Sequence, residues 1–256
     1  QVVEISRVTG KFIKNELNTF SQQHIEIKGI HNFVSYVDKT AEERIVSALS
    51  KVLPKAGFIA EEGTGIPSES GLNWVIDPLD GTTNYIHGLS PFAISIALME
   101  GENVILGVVY EISLDECFWA YTGSDAYLNG KKIHVSNLTT VNDSLIATGF
   151  PYYDYDRMDP LLKSIEYFMR NSHGLRRLGS AATDLAYVAC GRFEAFYEYG
   201  LQSWDVAAGS IIVQQAGGLI SDFSGEKNYI FGKEIVASNS NVYAEFQGVV
   251  KNYMVK

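Results

Sequence analysis

Apolar residues at Val2, Ile5, Val8, Phe12, Ile13, Leu17 and Phe20 recur close to helical spacing, which predicts a long amphipathic helix at the start of the chain. A mostly polar stretch over 21–37 follows, and within it His24-Ile25-Glu26-Ile27-Lys28 alternates like a strand or hairpin arm. Thr40-Ala41-Glu42-Glu43 reads as a capping box ahead of Ile45, Val46, Leu49, Val52 and Leu53, so a second helix is expected there, ending before Pro54. The run Gly57-Phe58-Ile59-Ala60 reads as a short strand that delivers Glu61 and Glu62 to its end, with loop composition over 63–71. Trp74-Val75-Ile76 reads as a buried strand that breaks at Asp77-Pro78, because proline has no N–H to give a central ladder. Residues 92–100, 104–112 and 116–122 are β-branched and aromatic, which predicts a meander, and Asn129-Gly130 marks a hairpin after it.

Beyond about residue 140 the pattern changes to alternation. Strands are expected at 144–150, 175–178, 193–199, 219–222 and 235–238. Helices are expected at 158–171, 180–190 and 205–216, with a last one from Asn241. The expected fold class is therefore α/β, with an α+β part over 1–142 built on an antiparallel sheet and an α/β part over 143–256.

Composition narrows the function. At 256 residues, 46% apolar and 20% charged, the chain can bury a large core. A net charge of −10 argues against a nucleic-acid polymer or a membrane surface as partner, since both attract basic faces. Two cysteines, Cys117 and Cys190, are read as free buried thiols of a reducing compartment, and five scattered histidines offer no zinc-hydrolase spacing. With neither an 18-residue apolar run nor a signal-peptide pattern, a cytoplasmic location is expected.

The chemistry is concentrated in Trp74-Val75-Ile76-Asp77-Pro78-Leu79-Asp80-Gly81-Thr82-Thr83-Asn84. Two carboxylates flank a rigid proline corner, Gly81 permits a tight turn, and Thr82 places a hydroxyl where a helix can begin. Taken alone, Asp-Pro and Asp-Gly are ordinary turn chemistry. The full string, with Glu61-Glu62 upstream and Trp204-Asp205-Val206-Ala207-Ala208-Gly209 downstream, resembles the signature set of the inositol monophosphatase family, the metal-dependent, lithium-sensitive phosphomonoesterases.

That resemblance implies a layered αβαβα sandwich of the inositol monophosphatase and fructose-1,6-bisphosphatase type and a magnesium-dependent hydrolysis of a phosphate monoester, foremost inositol monophosphate. It implies a first ion on Glu61, Asp77, the Leu79 carbonyl and Thr82, a second on Asp77, Asp80 and Asp205, and room for a third held loosely by Glu61. Catalytic roles fall to Glu61, Thr82, Asp38 and Asp77, with Asp38 aligning Thr82. Substrate contacts fall to Asp80, Gly81, Thr82, Gly179, Ser180, Ala181, Glu198 and Asp205, with Lys28 and Glu62 as weaker candidates. From the residues alone, Asp205 reads as a helix-start acid, Glu198 as an exposed strand-end residue and Lys28 as a solvated lysine. Helix N-termini at Thr82, Ser180 and Asp205 would let an acidic protein cradle a phosphate. A homodimer is implied too. Nucleotidase activity on 3′(2′),5′-bisphosphates, a fructose-1,6-bisphosphatase-like activity, and a catalytically silent regulator stand as alternatives.

Overall fold

The computed structural model describes residues 1–17, 25–29, 32–69 and 71–255. Helices α1 (Val2–Glu16) and α2 (Tyr36–Val52) flank a small antiparallel hairpin of β1 (Ile25–Gly29) and β2 (Asn32–Ser35). The expected first helix extends to Phe20 and the expected strand opens at His24, and both of those residues lie outside the described residues. Helix α2 begins earlier than its capping box suggests, so Thr40 lies in its second turn. Glu42, fully buried, instead accepts from the backbone N–H groups of Glu62 (2.7 Å) and Thr64 (3.0 Å), which pins the loop after the next strand.

Seven strands form the first sheet in sequential order: β3 (Gly57–Ala60), β4 (Leu72–Asp80), β5 (Ala93–Glu100), β6 (Asn103–Glu111), β7 (Glu116–Tyr121), β8 (Ala126–Leu128) and β9 (Lys131–Ile133). All neighbours are antiparallel except β3 and β4. Strand β4 does not break at Pro78, contrary to the sequence expectation. Strand β3 pairs with it only as far as Ile76, so one edge is free at the proline, and a bulge between Asp77 and Asp80 absorbs the extra residue against β5.

The second half supplies β10 (Leu145–Thr148), α4 (Met158–Asn171), β11 (Gly174–Arg176), α5 (Ala181–Ala189), β12 (Ala195–Tyr199), α6 (Ser203–Gln215), β13 (Gly218–Ser221), β14 (Glu234–Asn239) and α7 (Tyr243–Met254). Its five strands make a mixed sheet in the order β11-β10-β12-β14-β13. Helices α5 and α6 touch strands of both sheets, α1 and α2 cover the outer face of the first, and α4 and α7 cover the second. The layers run α, β, α, β, α, a layered α/β fold.

The middle layer explains a sequence feature. Helix α6 has no polar side over most of its length, because Val206, Ala207, Ala208, Gly209, Ser210, Ile211, Ile212 and Val213 are all buried. Gly209 sets its approach to α5: a Cβ there would lie 2.5 Å from Cβ of Leu185. Cys117 is buried as expected, whereas Cys190 at the end of α5 is only half-buried. None of the helices among the described residues is long and apolar enough to cross a membrane.

Candidate active site

Strand β4 ends at the mouth of a cleft of about 490 Å³ lined by residues of both halves. Asp77 and Asp80 reach it from the bulge and Asp205 from the start of α6, and oxygen atoms of the three carboxylates lie within 4.8 Å of one another. Glu61, Leu79, Gly81, Thr82, Gly179, Ser180, Ala181 and Glu198 line the same cleft, so the structure brings together nearly every residue singled out from the sequence. Glu62 is not part of that lining, as the alternation of strand faces predicts for neighbours at a strand end. Lys28 lies in β1, with its side chain outside the described residues.

Local hydrogen bonds hold these groups. Asp77 Oδ1 accepts from the Leu79 N–H (2.8 Å), closing the turn around Pro78. Asp80 Oδ2 accepts from Ser180 Oγ (2.6 Å) and the Ala182 N–H (2.8 Å), so the N-terminus of α5 is docked on the strand end of the other half. Asp205 is a first-turn acid of α6, as its helix-start reading expects, with Gln202 as the N-cap. It is the third residue of α6 and reaches back to accept from the Gln202 N–H (2.7 Å) in a capping box. Ser95 of β5 donates to the Trp204 carbonyl (2.8 Å), fixing the start of α6 against the first sheet. Thr82 Oγ1 lies 2.9 Å from the Leu79 carbonyl and 3.1 Å from Asp38 Oδ1, and Asp38 is 1% exposed in the first turn of α2. Thr82 has one proton for two acceptors, so it donates to one at a time and its oxygen keeps the capacity to accept.

Gly81 requires its residue type. Its φ is +88°, and a Cβ would lie 3.0 Å from the Pro91 carbonyl oxygen. One amide then joins both halves: Asn84 Nδ2 donates to the carbonyls of Pro91 and Leu178, each at 2.8 Å.

Electrostatics mark the cluster. Burial, then repulsion from Glu61, Asp80 and Asp205, holds Asp77 well above the usual carboxylate range. Burial pushes Asp205 up to about 8, and Asp80 only to about 6 because Ser180 and α5 backbone N–H groups stabilise its charge. Acids at this spacing share protons or cations. All-oxygen carboxylate donors with a backbone carbonyl and a hydroxyl fit a hard divalent cation, so the residues present suit the ions the sequence suggests.

Glu198 departs from its reading as an exposed strand-end residue. It is 8% exposed at the floor of the cleft, and burial pushes it up to about 8. Its carboxylate rests on Gly149, where a Cβ would lie 1.9 Å from Cδ of Glu198. Gly149→Ala is expected to cost about 1–3 kcal/mol through overpacking, lowering the melting temperature by roughly 2–10 °C, which calorimetry measures. An unchanged melting temperature would show that Glu198 moves aside freely.

Sequence reasoning missed three features of the cleft. The segment from Phe150 to Tyr153 forms an aromatic wall, Arg177 lies over its Phe150 and Tyr152 rings at 5.5 and 5.8 Å, and Asp184 is buried behind the floor. The Arg176-Arg177 pair just before Gly179, in so acidic a chain, was the available signal.

A five-layer sandwich with a carboxylate cluster between its halves and helix starts facing the cluster defines a phosphomonoesterase. The chain belongs to the inositol monophosphatase family, whose description matches residues 1–253. It is 35% identical to the inositol-1-monophosphatase of Mesorhizobium japonicum over 98% of this chain and 94% of that one. It is 40% identical to Nus factor SuhB of Pseudomonas aeruginosa, over 93% and 90%. The crystal structure of extragenic suppressor protein SuhB from Bartonella henselae superposes with a TM-score of 0.92 at 37% identity, covering 97% of this chain and 96% of that chain.

Proposed function

We propose that the protein hydrolyses a polyol phosphate monoester, foremost inositol monophosphate, to the free alcohol and phosphate with magnesium. The observation that carries this reading is the convergence of Asp77, Asp80 and Asp205 within 4.8 Å, beside Thr82 and Glu61 in one cleft. Asp77, Asp80, Asp205, Glu61, Thr82 and the Leu79 carbonyl would hold the ions. When bound, such ions supply Lewis-acid activation of water and neutralise charge on the transferring phosphoryl group.

The protein's own groups do the rest. Thr82 Oγ1, oriented by Asp38 and the Leu79 carbonyl, presents its lone pairs to a water, and Glu61 takes that water's proton. The N–H groups at Gly81 and Thr82 would face the phosphate beside the ions, whereas those at the start of α5 are taken up by Asp80 and Ser180. Glu198 accepts from hydroxyls of the alcohol. The part up to residue 142 supplies most ion-holding groups, and Asp205 comes from the part after 143.

A silent regulator fits less well, because clustered buried acids cost stability and have no use without a cation. Nucleotide or sugar bisphosphates remain the alternative substrates. The test is phosphate release from a panel of polyol, nucleotide and sugar phosphates with magnesium, with chelator and with lithium. The polyol ester should be cleaved best, chelator should abolish turnover and lithium should inhibit. Activity that survives chelation would defeat the reading. We further propose a homodimer, which sedimentation at working concentration checks.

A further inference from the structure

Helix α2 turns two carboxylates inward, one helical turn apart. Asp38 meets Thr82 Oγ1 at 3.1 Å, and Glu42, four residues on and fully buried, reaches the segment just after Glu61. The same face continues with Ile45 and Leu49, both fully buried, so an apolar side chain would be the ordinary occupant of position 42. A buried carboxylate costs stability unless its oxygens are met by donors. Glu42 has three of them. Oε2 accepts from the Glu62 N–H (2.7 Å), and Oε1 accepts from the Thr64 N–H (3.0 Å) and the Thr64 hydroxyl (2.7 Å).

These bonds hold the backbone beside Glu61. The Glu61 N–H donates to the Ile76 carbonyl of β4 (3.2 Å), and the next N–H along the chain donates to Glu42. The peptide units on both sides of the Glu61 Cα are therefore fixed, one on the sheet and one on α2. A little further on, the Phe58 N–H donates to the Ile66 carbonyl (2.9 Å), so the loop folds back along β3. Asp77, Asp80 and Asp205 are held through their own carboxylates, by Leu79, by Ser180 and Ala182, and by Gln202. Glu61 stands where β3 gives way to a loop, so its carboxylate goes where its backbone is set. Glu42 is absent from the cleft lining and can act only through that backbone.

We infer that Glu42 is a positioning residue for Glu61, and that its hydrogen bonds to Glu62 and Thr64 tune how tightly the cleft holds its divalent cation. With Asp38 set against Thr82, one buried face of α2 then places both groups assigned to the attacking water. This rests on the phosphatase reading above and extends it from the cleft to the helix behind it.

The test is calorimetric titration of magnesium into the metal-stripped full chain, with melting temperatures in chelator, for wild type, Glu42→Gln and Thr64→Val. Glutamine keeps the shape and one acceptor oxygen for Thr64, but sets an amide NH₂ against the Glu62 N–H and so releases the peptide after Glu61. Glu42→Gln should weaken magnesium binding by roughly 10- to 100-fold, the usual cost of losing a group that orients a metal ligand. Its kcat should recover as magnesium saturates and KM for the ester should hold, because nothing facing the alcohol has changed. Thr64→Val, which removes one of the three donors from an exposed residue, should weaken magnesium about threefold, the worth of one ordinary hydrogen bond.

A Glu42→Gln protein that melts earlier yet binds magnesium within about twofold of wild type overturns the inference, since Glu42 would then only brace the fold. If that variant does not fold, Thr64→Val decides, and wild-type magnesium affinity there overturns the inference equally. Magnesium that fails to bind wild type sinks the phosphatase reading and this inference with it, whereas one affinity shared by wild type and variants sinks this inference alone.

Discussion

Asp77→Asn is expected to lower kcat/KM by about three orders of magnitude at saturating magnesium, near 4 kcal/mol in the barrier. Asp77 is the residue of the cluster with acids on every side, since burial and the charges of Glu61, Asp80 and Asp205 all act on it. In the proposed arrangement it alone touches both ion positions, so its charge counts twice. Single groups that stabilise developing charge are worth roughly 10²- to 10³-fold, which sets the lower bound here. The asparagine keeps the shape, and its amide can still meet the Leu79 N–H that Asp77 Oδ1 accepts at 2.8 Å. The variant should therefore fold and, without metal, melt no earlier than wild type, because it removes one buried acid from a repelling group. Steady-state kinetics with a magnesium titration decide the matter. A variant within tenfold of wild type at saturating magnesium would refute the role assigned to Asp77.

A second large effect is expected in the pH dependence of stability. Asp80 is raised to about 6 and Asp205 to about 8, and Asp77 is raised as well, against roughly 3.9 for an unfolded aspartate. Between those values the folded chain still holds protons that the unfolded chain has released. Stability from these groups is therefore complete below about pH 4 and declines as pH rises toward 8. In chelator, the melting temperature is expected to fall between about pH 5.5 and 8.5 by several degrees, where roughly 2–4 °C corresponds to 1 kcal/mol for a chain this size. Magnesium competes with those protons, so its stabilisation should be small at pH 5.5 and largest at 8.5. Thermal scans at four pH values, with and without magnesium, make the comparison. A melting temperature that rises with pH in chelator, or a magnesium shift equal at both ends, would show that the three acids do not form one ion-binding cluster.

Much of this was written locally in the chain. The helix over 158–171 and the Asn129-Gly130 hairpin follow from periodicity and turn chemistry, which act over a few residues and need no distant partner. The string from Trp74 to Asn84 is ordinary turn chemistry in its parts, and its site became legible through the resemblance of the whole string, with Glu61-Glu62 and Trp204-Asp205, to a family signature. Tertiary structure decided the rest. Pro78 stays within a strand only because β3 stops pairing at Ile76, a fact about a neighbour. Thr40 is not a cap because the preceding residues were already wound into α2, freeing Glu42 to pin a loop some 20 residues on. Glu198 looks like a solvent-facing strand end until Gly149 and the cleft close over it, and Asp184 looks like an ordinary helix acid until both sheets bury α5. Burial is a property of what packs against a residue from far along the chain. The type and order of the acids could therefore be read from the sequence, whereas their shared desolvation, and the charge states that follow from it, required the fold.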